Sequence, residues 1–339
     1  MSRIAWLLLA LSLSLPTFDA AHRLLTTSLF LVEFLSEGRW RPLSAVTETP
    51  QVSILHAPPS SPALAADLYA TPALVARAGL VLVHGIAPRG KDDPHLRDAA
   101  ALIARAGYAV AVPTIDGLTV LRLRPEDADA VSAAIRALVD AGHRPVSVLG
   151  VSLGCSPALL AAGDPSIASW ISAVLALGGY ASAVELLRYT LTGAYQLDAI
   201  RGQRPVDERG IARFARANAD LLDGAGQRLV ANRDPASVDG LIRELPPSTR
   251  HLLEQLSPDR SFASIRAPIF LVHGRGDPTV PFTETLRLDG AARAAGRRVT
   301  TVIVGAVGHV DPGAHPTLGD LARLAAAFYA FNVAAQRPR

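Results

Sequence analysis

Val146-Ser147-Val148-Leu149-Gly150-Val151-Ser152-Leu153-Gly154-Cys155 is the stretch on which the reading of this chain turns. An apolar run of strand length breaks at a serine set between two glycines and passes into an Ala/Leu-rich segment of helical character. In a strand-turn-helix context, G-x-S-x-G marks a serine nucleophile. The tight turn needs bare backbone at Gly150 and Gly154, because a Cβ at either position would collide with the chain opposite. It also forces Ser152 into a sparsely populated backbone conformation and lifts its hydroxyl clear of the sheet. Serine between glycines is common in turns, so the pattern gains meaning only from partners elsewhere.

Those partners occur in the order a serine hydrolase needs. Upstream, Gly79-Leu80-Val81-Leu82-Val83 reads as a buried strand ending in His84-Gly85-Ile86. Such a strand end aims a backbone N–H, that of Ile86, at a developing oxyanion. Leu153, next to the serine, offers the second donor from the first turn of its helix, where N–H groups lack acceptors and the dipole favours negative charge. Together they would form an oxyanion hole, commonly the largest single contribution to such catalysis. Downstream, Pro268-Ile269-Phe270-Leu271-Val272-His273-Gly274 is a short apolar strand whose following loop carries Asp277. Val299-Thr300-Thr301-Val302-Ile303-Val304 is the last strand, followed by Gly308-His309. His309 is the expected general base and Asp277 its orienting acid. The competing site for the acid, after Ala173-Val174-Leu175-Ala176-Leu177, reads Gly178-Gly179-Tyr180 and holds none.

From His84-Gly85 through Gly150-x-Ser152-x-Gly154 and His273-Gly274-x-x-Asp277-x-x-Val280-Pro281 to Gly308-His309, the chain resembles an α/β-hydrolase over residues 51 to 336. The acid segment is similar to that of the dienelactone-hydrolase-like and prolyl-oligopeptidase-like branches. Serine stands where dienelactone hydrolase has cysteine, and Cys155 lies three residues beyond. The resemblance implies an α/β fold with an eight-stranded, mostly parallel sheet, helices on both faces, and hydrolysis through an acyl-enzyme. It supplies no substrate.

On this reading the substrate is a small acyl compound, a carboxylic ester first, with peptidase or acyltransferase chemistry as variants on the same triad. The alternative from another class is a non-catalytic binding protein on the same fold. Dehalogenase and epoxide hydrolase chemistry require a carboxylate nucleophile where Ser152 stands.

Composition bounds the partners. The chain has 339 residues, half of them apolar, and a formal net charge of only +3, with arginines scattered among acids. No nucleic-acid stripe results. A single cysteine excludes an internal disulfide framework, and no Cys/His spacing suits zinc, so neither metal nor cofactor is expected.

At the N-terminus, Arg3 precedes twelve uncharged residues, Ile4 to Leu15, closed by Pro16. That suits a signal-peptide core and falls short of the roughly 20 residues of a spanning helix. Cleavage after Ala20 or Ala21 would leave Phe18 or Asp19 where a small residue belongs, so residues 1 to 35 read as a leader or an uncleaved anchor. Leu24 to Leu35, with Glu33 its one charge, would lie on a membrane surface or pack on the core. Export or membrane association is the expectation, and a cytoplasmic protein with a packed leader the alternative. Residues 36 to 50 read as a linker.

The core is expected over 51–180 and 261–336. Gln51 to Ala57 and Asp67 to Ala70 read as edge strands flanking the loop Pro58-Pro59-Ser60-Ser61-Pro62. Pro94 to Ala106 and Pro125 to Ala141 read as crossover helices with Tyr108 to Val112 between them. Pro157 predicts a local distortion in the helix after Ser152. Over 181–260 the strand pattern gives way to helical segments broken at Gly193, Gly202, Pro205, Gly224, Pro235 and Pro246. This segment reads as a helical cap over the strand ends, the alternative being a peripheral embellishment.

Other reactive residues have plainer readings. His84 and His273 each end a strand before glycine and would support the turns. His315 is second to His309 as base, and Asp311-Pro312 reads as a turn. Lys91, the only lysine, would be a solvated loop residue, or a contact for an anionic substrate. Cys155 would be a packing residue.

Overall fold

The computed structural model describes residues 3–57, 64–72, 76–305, 308–309 and 317–337, with side chains from residue 19 onward. The loop expected at 58–62 lies outside the described residues. The chain opens with helices α1 (Arg3–Leu35) and α2 (Pro42–Val46), then enters the sheet through β1 (Gln51–Leu55), β2 (Ala66–Ala70) and β3 (Ala78–Val83). Helix α3 (Pro94–Arg105) leads to β4 (Tyr108–Pro113). Helices α4 (Asp116–Thr119) and α5 (Asp127–Asp140) lead to β5 (Val146–Val151), and α6 (Cys155–Ala162) to β6 (Ile171–Leu177). An insertion follows: α7 (Ala183–Thr192), β7 (Ala194–Leu197), β8 (Ile200–Gln203), α8 (Glu208–Ala217), α9 (Gly224–Ala231), α10 (Val238–Glu244) and α11 (Pro247–Gln255). The sheet resumes with β9 (Ile269–Gly274), α12 (Phe282–Ala294) and β10 (Val299–Val304), and α13 (Leu318–Ala335) closes the chain order.

Eight strands form one sheet in the order β1-β2-β4-β3-β5-β6-β9-β10. β2 is antiparallel to both its neighbours, and the remaining pairs are parallel. Of the two strands read as edges, only β1 is one, because the far side of β2 pairs with β4. The central strands are buried along their whole length, as expected where helices cover both faces. Their alternation builds two cores. Leu80 and Leu82 face α3 and α13, among Ile103, Leu324 and Phe331. Val81 and Val83 face α5, α6 and α12, among Ile135, Leu159 and Leu288.

Helix α1 continues across Pro16, the expected stop. Proline removes one backbone donor, and the half beyond it has a partner in α13. Phe30 lies 5.8 Å from Phe328, Leu31 is buried, and Asn332 Nδ2 donates to Thr27 Oγ1 at 2.8 Å. Residues 36–50 also contain more than a linker. Leu43 of α2 is buried, and the buried Glu33 carboxylate accepts the Ser44 N–H at 2.9 Å.

The insertion has a small core of its own around Leu191, Ile211, Leu229, Val238 and Leu245. It is not wholly helical. β7 and β8 form an antiparallel hairpin turned by Asp198-Ala199, with Asp198 at φ 51°. The cross-strand partners Tyr195 and Gly202 are so close that a Cβ on Gly202 would come within 2.3 Å of the tyrosine oxygen. Glycine reads from sequence as a break, yet here it makes room for a ring. At the root of the insertion, Glu284 of α12 accepts the N–H groups of Ala181 and Ser182, each at 3.1 Å. Burial raises its carboxyl to about 7.

Phe331 joins the sheet to α13, edge-on to Phe270 at 5.6 Å and almost fully buried. Phe331→Ala should lower unfolding free energy by about 3 to 5 kcal/mol without changing the denaturant slope, measurable by urea titration.

Candidate active site

Ser152 stands at the end of β5 with φ 55°, a left-handed conformation that a non-glycine residue adopts only under constraint. The constraint is close backbone approach. A Cβ on Gly154 would lie 2.1 Å from the His84 carbonyl oxygen, and one on Gly150 would lie 2.7 Å from Cys155 Cα. Gly85 matters equally, since its own Cβ would come within 2.9 Å of Ser152 Cβ. The turn Ser152–Gly154 is a 3-10 turn and α6 begins only at Cys155. Pro157 therefore falls in the first turn of α6, where a missing N–H leaves no acceptor unsatisfied.

His309 follows β10 and Asp277 follows β9, so both side chains arise at the same sheet margin as Ser152. His309 Nδ1 lies 2.6 Å from Asp277 Oδ2, and His309 Nε2 lies 2.6 Å from Ser152 Oγ. Asp277 has no exposed side-chain surface. Burial alone would raise its pKa. Hydrogen bonds from His273 and His309, joined by their charge when the rings are protonated, outweigh burial and hold the carboxyl at about 2. An ionised carboxylate can only accept, so Nδ1 of His309 carries the hydrogen and Nε2 presents its lone pair to the serine hydroxyl.

Two features around Asp277 escaped the sequence reading. His273, fully buried, also contacts Asp277, with Nε2 at 3.1 Å from Oδ2 and 3.0 Å from the Val280 carbonyl. Its Nδ1 lies 2.6 Å from Thr285 Oγ1, so a neutral ring protonated on Nε2 satisfies every partner. The N–H groups of Thr279 and Val280 donate to Asp277 Oδ1 at 2.7 and 2.9 Å. The sequence shows a histidine before a glycine, but not where its ring is aimed. Gly178 is the second feature. At φ +67° it passes close to His309, and a Cβ there would be 3.0 Å from the His309 carbonyl oxygen.

His84 supports the turn as expected. Its Nε2 accepts the Ile115 N–H at 2.9 Å and its Nδ1 lies 2.6 Å from the Gly85 carbonyl, while burial lowers its pKa. Ile86 follows directly, and its N–H has no hydrogen-bond partner among the described residues. Leu153 occupies the first turn of the helical segment, ahead of any intrahelical acceptor for its N–H. The Cys155 thiol is fully buried against the Gly150 carbonyl at 3.1 Å, and burial pushes its pKa up, which makes it a packing residue. Lys91 departs from both readings given to it. Its ammonium is 3.0 Å from Asp67 of β2 and 3.4 Å from Asp92, because the 90–92 turn folds back on the sheet margin. His315 and Asp311-Pro312 lie outside the described residues. Among the described residues, no cluster of His, Cys, Asp or Glu is arranged to hold a metal ion.

This architecture recurs in solved structures. The acylaminoacyl peptidase of Pyrococcus horikoshii superimposes with a TM-score of 0.59 at 15% identity, over 87% of this chain and 43% of that one. A puromycin-hydrolysing peptidase of Mycobacterium tuberculosis gives 0.56 at 18%, over 86% and 40%. The chain thus spans less than half the length of these peptidases. It has the α/β-hydrolase fold. A Pyrococcus furiosus esterase gives a TM-score of 0.52 at 15% identity, over 88% of this chain and 96% of that one. No family model matches the chain. No curated protein matches it either.

The depressed pKa of Asp277 has a thermodynamic consequence. A carboxyl at about 2 when folded and 3.8 ordinarily stabilises the fold at all pH above 3.8, and that contribution fades as pH falls towards 2. The stability advantage of the native protein over Asp277→Asn should therefore narrow by on the order of 2 kcal/mol between about pH 4 and pH 2. Urea midpoints of the two proteins across that window measure it. A gap independent of pH would contradict the assignment.

Proposed function

We propose that the chain is a serine hydrolase that cleaves carboxylic esters through an acyl-enzyme. One observation carries this reading: Asp277, His309 and Ser152 are joined in series, both links at 2.6 Å, with the serine on a strained elbow. His309 takes the Ser152 proton as the oxygen attacks the carbonyl carbon, and Asp277 stabilises the imidazolium that forms. The N–H groups of Ile86 and Leu153 receive the oxyanion. Imidazolium then protonates the departing alcohol, and water repeats the sequence to release the acid.

Two further observations favour an ester with an apolar acyl group. Leu153, next to the nucleophile, packs against the buried cluster of Tyr180, Ala183, Leu186, Leu256 and Val280, so the surroundings of the serine on that side are apolar and uncharged. Of the structural neighbours described, the esterase is the one matched along nearly its whole length. Peptide hydrolysis is the second reading, favoured by the two peptidases. The 181–260 insertion serves as the cap over this site.

The outer face of α1 and α2 supports attachment to a membrane surface, which we propose as the setting of the protein. Leu24, Leu25 and Val32 of α1, Trp40 between the helices and Val46 of α2 are each exposed, Trp40 at 72%. No helix among the described residues is long and apolar enough to cross a membrane. The full chain should co-sediment with vesicles containing anionic lipid, and Leu24→Glu with Leu25→Glu should weaken that association. Full recovery of the native protein in the supernatant with every vesicle type would overturn the assignment.

A fluorophosphonate should label the native protein stoichiometrically at Ser152, and Ser152→Ala should abolish labelling and lower ester kcat by about 10⁴ to 10⁶. Labelling that persists in Ser152→Ala would refute the hydrolase reading. Labelling of the native protein with turnover of peptides and none of esters would replace ester by peptide.

A further inference from the structure

The inner side of Asp277 is held by His273, His309 and two backbone N–H groups, but the loop that carries it, residues 275–278, is also held from outside. Arg204, the residue after β8, donates from Nη1 to the Gly276 carbonyl at 2.9 Å and reaches the Arg275 carbonyl from Nη2 at 3.5 Å. Tyr189 of α7 donates its hydroxyl to the Pro278 carbonyl at 2.8 Å. Insertion side chains thus hold the carbonyls on both sides of Asp277.

At Gly276 itself packing contributes little. A Cβ added to Gly276 would meet no atom within 4 Å. The donors, in contrast, are stiffly mounted. Tyr189 is buried and stands edge-on to Tyr195 at 6.1 Å, and Tyr195 stands edge-on to Phe282 at 6.2 Å. Phe282 in turn underlies the Arg275 guanidinium at 5.4 Å. The Arg204 N–H is tied to the Gly193 carbonyl at 3.0 Å, and Gly193, at φ +71°, touches Arg204 so closely that a Cβ would lie 1.9 Å from its carbonyl oxygen.

We infer that Arg204 and Tyr189 are positioning residues for the hydrolytic reaction: the insertion clamps the acid loop and so sets the Asp277–His309 contact. This rests on the hydrolase reading above. Removing the clamp lets the carboxylate drift from Nδ1, which weakens the bond that favours imidazolium. The imidazolium that forms during attack is then less well stabilised, and the ring has a poorer tautomer preference.

The experiment compares native protein, Arg204→Ala, Arg204→Lys and Tyr189→Phe on one p-nitrophenyl ester, recording kcat, KM and the pH profile of kcat/KM. Arg204→Ala should lower kcat about tenfold with KM nearly unchanged, and move the acidic limb to lower pH by about half a unit. Arg204→Lys, which keeps one donor, should recover part of both effects. Tyr189→Phe, which deletes a single hydroxyl from an otherwise intact ring, should shift both in the same direction by a smaller amount. An unmoved acidic limb in Arg204→Ala and Tyr189→Phe overturns the clamp, whether the loss falls on KM or on thermal stability. A native protein that no fluorophosphonate labels removes the hydrolase reading itself, an outcome distinct from either.

Discussion

A carboxylate with no exposed surface is stable as an anion only if donors converge on it, and Asp277 is the point of convergence in this molecule. Two histidines and two backbone N–H groups supply those donors. Because the group stays ionised, it accepts and never donates, which fixes the hydrogen of His309 on Nδ1 and leaves Nε2 for Ser152. The serine is then the outer end of a polarised chain whose inner end is buried charge.

Bringing three loops into one chain depends on the parallel sheet. β5, β9 and β10 all deliver their C-terminal ends to one margin, with only β6 between β5 and β9. That margin is where ligands bind in open α/β sheets. The strain at Ser152 is held by close contacts: β3 ends against the elbow so tightly that Gly85 and Gly154 have no room for a side chain. Turn, sheet order and buried acid are therefore one arrangement.

The sheet was legible because a strand buried on both faces is an apolar run bounded by turn residues, and each of the eight main strands has that form or an edge variant of it. That Ser152, Asp277 and His309 stand at strand ends was legible for a related reason, since each follows such a run. What stayed hidden has no local signature. The ring of His273 turns on the same acid that His309 uses, and nothing in His273-Gly274 shows its direction. Glu284, Arg204 and Tyr189 act on residues 71 to 103 positions away. The β7–β8 hairpin was obscured because Gly193 and Gly202 read as helix breaks, whereas one turns the chain and the other accommodates Tyr195. The continuity of α1 past Pro16 depends on α13, some 300 residues on, which no local pattern near the proline reveals.

The protonation state of His309 tests the account most directly. In ¹⁵N-histidine-labelled protein, with His309 assigned through His309→Gln, the neutral form of the ring should carry its hydrogen on Nδ1 and none on Nε2, and Asp277→Asn should abolish that preference. A neutral ring protonated on Nε2, or one whose tautomer is indifferent to Asp277→Asn, would contradict the claim that the buried carboxylate organises the site.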